Sequence, residues 1–158
     1  MGETNNNIRI NSEDPLENIL TAWLRVSAGV RNERLVHSMT FNEVFVCNIL
    51  YSQTVLAEEM VTATDVCEQT GMLKSHANKV LVSMEKRGWI LRERSKDDQR
   101  KVILRMTEQG EQQYLLEHGN VRKILEELAN DLGNEKLTQA SLILTEVAQV
   151  MRKISERI

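Results

Sequence analysis

Aromatic side chains are scarce, 4% of 158 residues, which argues against a β-sandwich or barrel because strands draw on aromatic residues for packing. Proline occurs once and glycine seven times, while 41% of residues are hydrophobic and 27% charged. That is the composition of one folded, helix-permissive domain, or of a small domain with an extension that needs a partner, rather than of a disordered chain. Cys47 and Cys67 are too few and too deep in apolar patterns for a disulfide framework, in keeping with a reducing compartment. No window approaches the roughly 20 apolar residues that span a bilayer. The opening MGETNNNIRINSEDP lacks the apolar stretch of a secretory signal. A cytoplasmic protein without a membrane partner is expected. Gly-x-Ser-x-Gly, glycine-rich phosphate loops and His-Glu-x-x-His are missing. His37, His76 and His118 are scattered and no Cys or His pair has ligand spacing, so neither a metal nor another cofactor is expected. Glu58-Glu59, Asp97-Asp98 and Glu126-Glu127 read as solvated faces, and the chain is expected to be no enzyme.

What is present is an uneven distribution of charge. The net charge is −3, yet from Met72 to Arg105 ten basic residues stand against four acidic ones, a net +6, which leaves −9 for the remainder. Such asymmetry points to a localised anion-binding surface on an otherwise acidic body.

Residues 1–13 read as a disordered lead. Asp14 can cap a first helix, Pro15 suits its first position and Glu17 falls three residues after the cap. Leu16, Ile19, Leu20, Trp23, Val26 and Val30 then recur at helical spacing. Thr40-Phe41-Asn42-Glu43 is a capping box, opening a helix expected to run to about Gln53. Thr62-Ala63-Thr64-Asp65 opens a short helix that Gly71 can end, and Ala77, Val80, Leu81 and Met84 form the apolar side of the next, closed by Gly88. Two short helices about a glycine-containing turn make a helix-turn-helix candidate.

From Trp89 the period changes. WILRER and KVILRM are short β-rich runs joined by the polar SKDDQR, which predicts a two-stranded hairpin with a charged tip. Thr107 can cap a long helix to about Leu132 with Gly119 as a bend, and Val121, Ile124, Leu125, Leu128 and Leu132 share a face. The last helix, about 135–157, sets Leu137, Ala140, Leu144, Val147, Met151, Ile154 and Ile158 at spacings of three and four, a heptad seam flanked by Ile143 and Val150. So broad an apolar surface on terminal helices implies a second subunit.

The fold class expected is mainly α with a small β-hairpin wing: a winged helix-turn-helix flanked by N- and C-terminal dimerisation helices. The parts are a lead (1–13), an N-terminal dimerisation helix (14–38), the DNA-binding domain (39–110) and the C-terminal dimerisation helices (111–158). In such a fold the second helix of the motif enters the major groove of double-stranded DNA and the hairpin reaches the adjacent backbone or minor groove. If Ala77, Val80, Leu81 and Met84 face the core, then Lys74, Ser75, His76, Asn78 and Lys79 project outward. Asn can bond two positions on adenine, Lys can donate to guanine or phosphate, and Ser, His and the helix N-terminus can bind phosphate. Lys86 and Arg87, farther along, read as phosphate or solvent contacts. In the wing, Arg94, Lys96, Arg100 and Lys101 supply cations, and Asp98 supports Arg100.

Residues 61–110 resemble the core of the MarR-type transcriptional regulators. The resemblance rests on Met84-Glu85-Lys86-Arg87-Gly88-Trp89-Ile90, the wing's Asp98-Gln99-Arg100 and the closing Met106-Thr107-Glu108-Gln109-Gly110, and it extends loosely over residues 14–158. It implies a homodimer on a pseudo-palindromic operator, with DNA affinity altered by a small aromatic ligand or by cysteine oxidation. Asn78 and Lys79 fall where the family has a small polar residue and an arginine, and Arg100 falls on its wing arginine. Leu73 departs from the usual Ser/Thr cap, and Met106 replaces a leucine at little cost in volume. Trp23, on a helix near the family's ligand pockets, is assigned to core or dimer packing in preference to ligand stacking. Two alternatives are a winged-helix protein-interaction module without DNA binding, and a redox sensor using Cys47 or Cys67.

Overall fold

The computed structural model describes residues 13–31, 36–155 and 157. Most of the expected lead, residues 32–35, the side chain of Val30, and Ile158 of the heptad seam lie outside them. The chain divides into two units, Met1–Arg34 and Leu35–Ile158.

The first unit holds helix α1 (Pro15–Arg31). Asp14 stands at its start, where its carboxylate accepts the Leu16 backbone N–H at 2.9 Å, so one of the helix's orphan donors is satisfied. Within this unit Leu16, Ile19, Leu20, Trp23, Leu24 and Val26 are all exposed. Among the described residues of this unit, Trp23 therefore finds no core to enter.

The second unit runs α2 (Phe41–Leu50), a π-helical turn (Tyr51–Leu56), β1 (Val61–Thr62), α3 (Ala63–Thr70), α4 (Lys74–Lys86), β2 (Ile90–Arg94), β3 (Val102–Met106), α5 (Glu108–Leu132) and α6 (Asn134–Ser155). The expected capping boxes are formed. Thr40 and Glu43 exchange side-chain and backbone bonds at the start of α2, and Thr62 and Asp65 do so at the start of α3. Gly71 ends α3 at φ +70°, a left-handed conformation that favours glycine. Leu73 precedes α4 without a side-chain cap bond, as its apolar side chain dictates.

One expectation is corrected and one is extended. The helix from Phe41 does not continue as α-helix to Gln53. The Ser52 and Thr54 hydroxyls back-bond to the carbonyls of Ile49 and Leu50, and the chain loosens into the π turn after Leu50. The expected hairpin forms from β2 and β3, but the sheet also takes in a third strand that the sequence pattern did not foresee. Val61 and Thr62 pair with Leu104 and Ile103, so β1 joins an antiparallel sheet of order β1-β3-β2.

Val46, Cys47, Leu50, Val66, Leu81, Met84, Ile90 and Leu104 are all but sealed from solvent. Burying a side chain of this size contributes about 1.5–3 kcal/mol, so α2, α3, α4 and the sheet are held as one body. Tyr114 joins this core from α5, its hydroxyl donating to Asn48 of α2 at 2.7 Å. The core thus fixes α4 by one side and leaves its other side to water.

Candidate nucleic-acid interface

Ala77, Val80, Leu81 and Met84 are buried, and Lys74, Ser75, His76, Asn78 and Lys79 are exposed. The helical period alone produces this division, since residues three and four apart share a face. Two of the five are tied to neighbouring elements. His76 Nε2 lies 2.9 Å from Asn42 of α2, and Asn78 Oδ1 accepts from Arg92 Nη2 of β2, also at 2.9 Å. Ser75, Lys74 and Lys79 have no side-chain partner among the described residues.

The wing tip is built by backbone bonds. Ser95, buried beneath it, accepts the N–H groups of Asp97 and Asp98 on its hydroxyl, and its own N–H donates to the Lys101 carbonyl at 2.9 Å. Asp98 accepts the backbone N–H of Arg100 at 3.0 Å. Its carboxylate therefore shapes the turn and leaves the Arg100 guanidinium outside this bond. Arg94, Lys96, Arg100 and Lys101 are exposed.

Three of the ten cations are engaged internally. Arg92 faces Glu85 at 3.9 Å as well as Asn78, and Arg105 faces Glu93 at 3.6 Å. Arg87, expected to meet phosphate or solvent, instead lies 4.6 Å over the Trp89 ring, donates to the Ser38 carbonyl and stands 3.7 Å from the buried Glu43 carboxylate. The other seven, Lys74, Lys79, Lys86, Arg94, Lys96, Arg100 and Lys101, are exposed and have no ion-pair partner among the described residues. They are the charge left to attract an anion.

Sequence reasoning missed Arg92 as a link between strand and helix. A signal was there: Ile90 and Arg92 are two apart on one strand and so share a face, and the Arg92 side chain is 19% exposed.

The cysteines differ. Cys47 is sealed in the core, where burial, and then the nearby Glu43 charge, push its thiol up to about 12. A thiol so held is a poor nucleophile. Cys67 is half-buried and lines a cleft of about 190 Å³ between α3 and α4 with Lys74 and Asn78. A larger apolar groove of about 750 Å³ runs between α5 and α6, walled by Leu125, Leu128, Leu137, Ala140 and Leu144. Among the described residues, no group of three or more His, Cys, Asp or Glu is placed to hold a metal, and no helix is long and apolar enough to cross a membrane.

Residues 33–115 match the family model described as transcriptional regulator SarA/Rot. The HTH-type transcriptional regulator FarR of Neisseria gonorrhoeae is 29% identical over 86 residues, covering 54% of this chain and 59% of FarR. The chain thus spans about three-fifths of the length of that curated relative. The crystal structure of NadR in complex with 4-hydroxyphenylacetate superposes with a TM-score of 0.68 at 21% identity, over 89% of this chain and 96% of NadR. The PcaV transcriptional regulator from Streptomyces coelicolor, in complex with its natural ligand, gives 0.69 at 18% identity, over 84% and 91%. At those identities the likeness is one of fold, and it is the winged helix-turn-helix that the order of elements implies.

Proposed function

The chain belongs to the SarA/Rot family of transcriptional regulators, and from that premise we propose that it is a sequence-specific regulator binding double-stranded DNA as a homodimer. The observation that carries this reading is the set of seven exposed cations on α4 and the wing without ion-pair partners among the described residues. A duplex is a dense line of negative charge, and such cations release its counterions on binding. In this reading Lys74, Ser75, His76, Asn78 and Lys79 meet base edges and phosphates of the major groove. Arg94, Lys96 and Arg100 meet the flanking backbone or minor groove, on a turn that Asp98 shapes.

Residues 39–110 then form the DNA-binding part, and the helices within 14–38 and 111–158 hold the dimer. Support for a second copy lies in the exposed apolar residues of α5 and α6, among them Leu116, Leu125, Leu132, Leu142, Ile143 and Leu144. Two copies about a twofold axis would set the recognition helices roughly 34 Å apart, one DNA turn, to read a pseudo-palindromic operator. Modulation by a small aromatic acid is supported by the likeness of fold to NadR. The protein would act in the cytoplasm, without catalysis, metal or cofactor.

A gel shift of the duplex upstream of the protein's own gene tests this directly. A retarded complex that weakens steeply between 50 and 200 mM salt is expected, on the order of 10³-fold for six phosphate contacts. Folded protein that leaves the duplex unretarded at low salt would overturn it in favour of a protein-interaction module. A thermal-shift screen of aromatic acids tests the ligand. A cysteine sensor would require peroxide to release DNA from wild type and not from the Cys47→Ser, Cys67→Ser pair, a result the core position of Cys47 does not favour.

A further inference from the structure

Arg92 is largely buried, its side chain 19% exposed, and it is not a free cation. Its guanidinium lies under α4, with Nη2 at 2.9 Å from Asn78 Oδ1 and Nη1 at 3.9 Å from Glu85, two turns farther along the same helix. Arginine carries donors only, so the Asn78 amide atom that faces it must be the carbonyl oxygen. The amide is thereby oriented by chemistry: its acceptor is turned to β2, and its Nδ2, which has no partner among the described residues, keeps both N–H donors on an exposed side chain.

We propose that Arg92 is a specificity-determining residue that acts through Asn78, presenting the Asn78 amide to DNA as a donor and so favouring guanine over adenine in each half-site. The inference rests on the DNA-binding reading above. The bidentate asparagine–adenine pair needs Oδ1 to accept from adenine N6 while Nδ2 donates to N7. Here one of the two Oδ1 lone pairs is taken by Arg92, and the neighbouring guanidinium charge repels the partial positive charge of an amino group approaching the other. Guanine instead offers two acceptors, O6 and N7, which suit a donor. Glu85 completes the arrangement by holding the other arm of the guanidinium, so Arg92 is oriented from both ends of the contacted stretch of α4.

The test uses the full-length protein and two probes: a pool of duplexes with a randomised centre of about 20 base pairs, enough for two half-sites one turn apart, and calf-thymus DNA. Competition between duplexes differing at one base pair per half-site then reads preference in wild type, Asn78→Ala, Arg92→Met, Arg92→Lys and the Asn78→Ala, Arg92→Met pair. Wild type is expected to favour guanine by about tenfold, within the discrimination of one bidentate contact, at the base pair whose preference Asn78→Ala flattens. Arg92→Met should flatten that same base pair, the double variant should lose no more, and Arg92→Lys, which keeps a donor, should retain part of the preference. The affinity of Arg92→Met and Arg92→Lys for calf-thymus DNA should stay within about twofold, because Arg92 is not placed to touch phosphate.

A wild-type preference for adenine at the Asn78-sensitive base pair overturns the inference, and it needs no Arg92 variant to fold. So does an Arg92→Met protein that keeps the guanine preference, or an Asn78→Ala protein that changes no preference. In each case binding to calf-thymus DNA leaves the DNA-binding reading standing. Failure of wild type to bind either probe at low salt removes both.

Discussion

Glu117 of α5 and Ser38, in the turn before α2, are joined twice: one carboxylate oxygen of Glu117 accepts both the backbone N–H and the hydroxyl of Ser38, each at 2.6 Å. The carboxylate also accepts the N–H groups of His37, at 2.9 Å, and Met39, at 3.3 Å. Glu43 takes the next N–H, that of Thr40, at 2.8 Å. Four successive backbone donors are thus satisfied by two buried carboxylates. The Ser38 carbonyl receives Arg87 from the end of α4. One short turn therefore connects the end of α4 to the long helix α5.

The first prediction follows from what a neutral amide would do in that nest. Glu117→Gln keeps the volume but sets an NH2 group against backbone donors and removes the charge. Hydrogen bonds to a charged group are worth about 1.5–3 kcal/mol each in context, and a buried donor left unmet costs about 1–3 kcal/mol. Urea denaturation should show Glu117→Gln less stable by about 3 kcal/mol. A loss under about 0.5 kcal/mol would mean the turn holds without the carboxylate.

The second concerns pH. Burial alone would push the Glu117 pKa up, but the bonds from Ser38, His37 and Met39 outweigh it and hold the carboxyl below its ordinary value of 4.5. A group whose pKa is lower in the folded state stabilises the fold fully above its unfolded value, and that contribution disappears as pH falls through the folded value. The stability difference between wild type and Glu117→Gln should therefore be constant from pH 7 to about 5 and shrink below 4.5. Among the described residues, His37 faces this nest, its Nδ1 3.9 Å from the carboxylate and its side chain exposed. A gap that widened on acidification would reverse the assignment.

How much of this was legible depends on the range of the interaction. Thr40 with Glu43 and Thr62 with Asp65 could be read because a capping box satisfies backbone donors within four residues. The outward set on α4 could be read because Ala77, Val80, Leu81 and Met84 mark the inward side at helical spacing. Val61–Thr62 could not: two residues carry no period, and their strand exists only because β3 lies alongside. Glu117 and Ser38 are 79 positions apart, and no local pattern announces that a helix glutamate is destined for a nest of distant N–H groups. Arg87 misled because an arginine after a basic helix resembles a phosphate contact until Trp89 and Glu43 are placed beside it.

Gly110 gives a third prediction. It lies in the first turn of α5, where a Cβ would overlap the Trp89 backbone carbonyl. That carbonyl accepts both the N–H and the hydroxyl of Thr107, the residue that caps α5, so it cannot yield easily. Helix propensity alone would make Gly110→Ala stabilising by about 1 kcal/mol. The clash should reverse the sign, lowering stability by about 2–3 kcal/mol, as overpacking does. Thermal melts of the variant decide between the two signs, and Gly119→Ala, where a Cβ meets nothing within 4 Å, is the control.

The fourth separates the two thiols. With its thiol pushed up to about 12, Cys47 holds almost no thiolate at neutral pH. Cys67 is half-buried beside a cleft. Iodoacetamide at pH 7.5 should label Cys67 in the native protein and reach Cys47 only after denaturation, as read by peptide mass mapping. Native labelling of Cys47 at a comparable rate would reopen the oxidant-sensing alternative.

The last prediction returns to the wing. Asp98 shapes the turn through the Arg100 N–H, which leaves the Arg100 side chain exposed and without an ion-pair partner among the described residues. If it neutralises a phosphate, Arg100→Ala should weaken binding to specific and unrelated duplexes alike, and the slope of log K against log salt should fall by about 0.9. Were it inserted into the minor groove to read base identity or groove width, the loss would instead concentrate on particular flanking sequences, A·T tracts above all. Salt titrations on two duplexes differing only in those flanks distinguish the cases. Asp98→Ala should follow Arg100→Ala in weaker form, because without its acceptor the turn no longer fixes where the guanidinium begins. An Arg100→Ala protein with unchanged affinity and slope on both duplexes would remove the wing from the contact surface and leave α4 to bind alone.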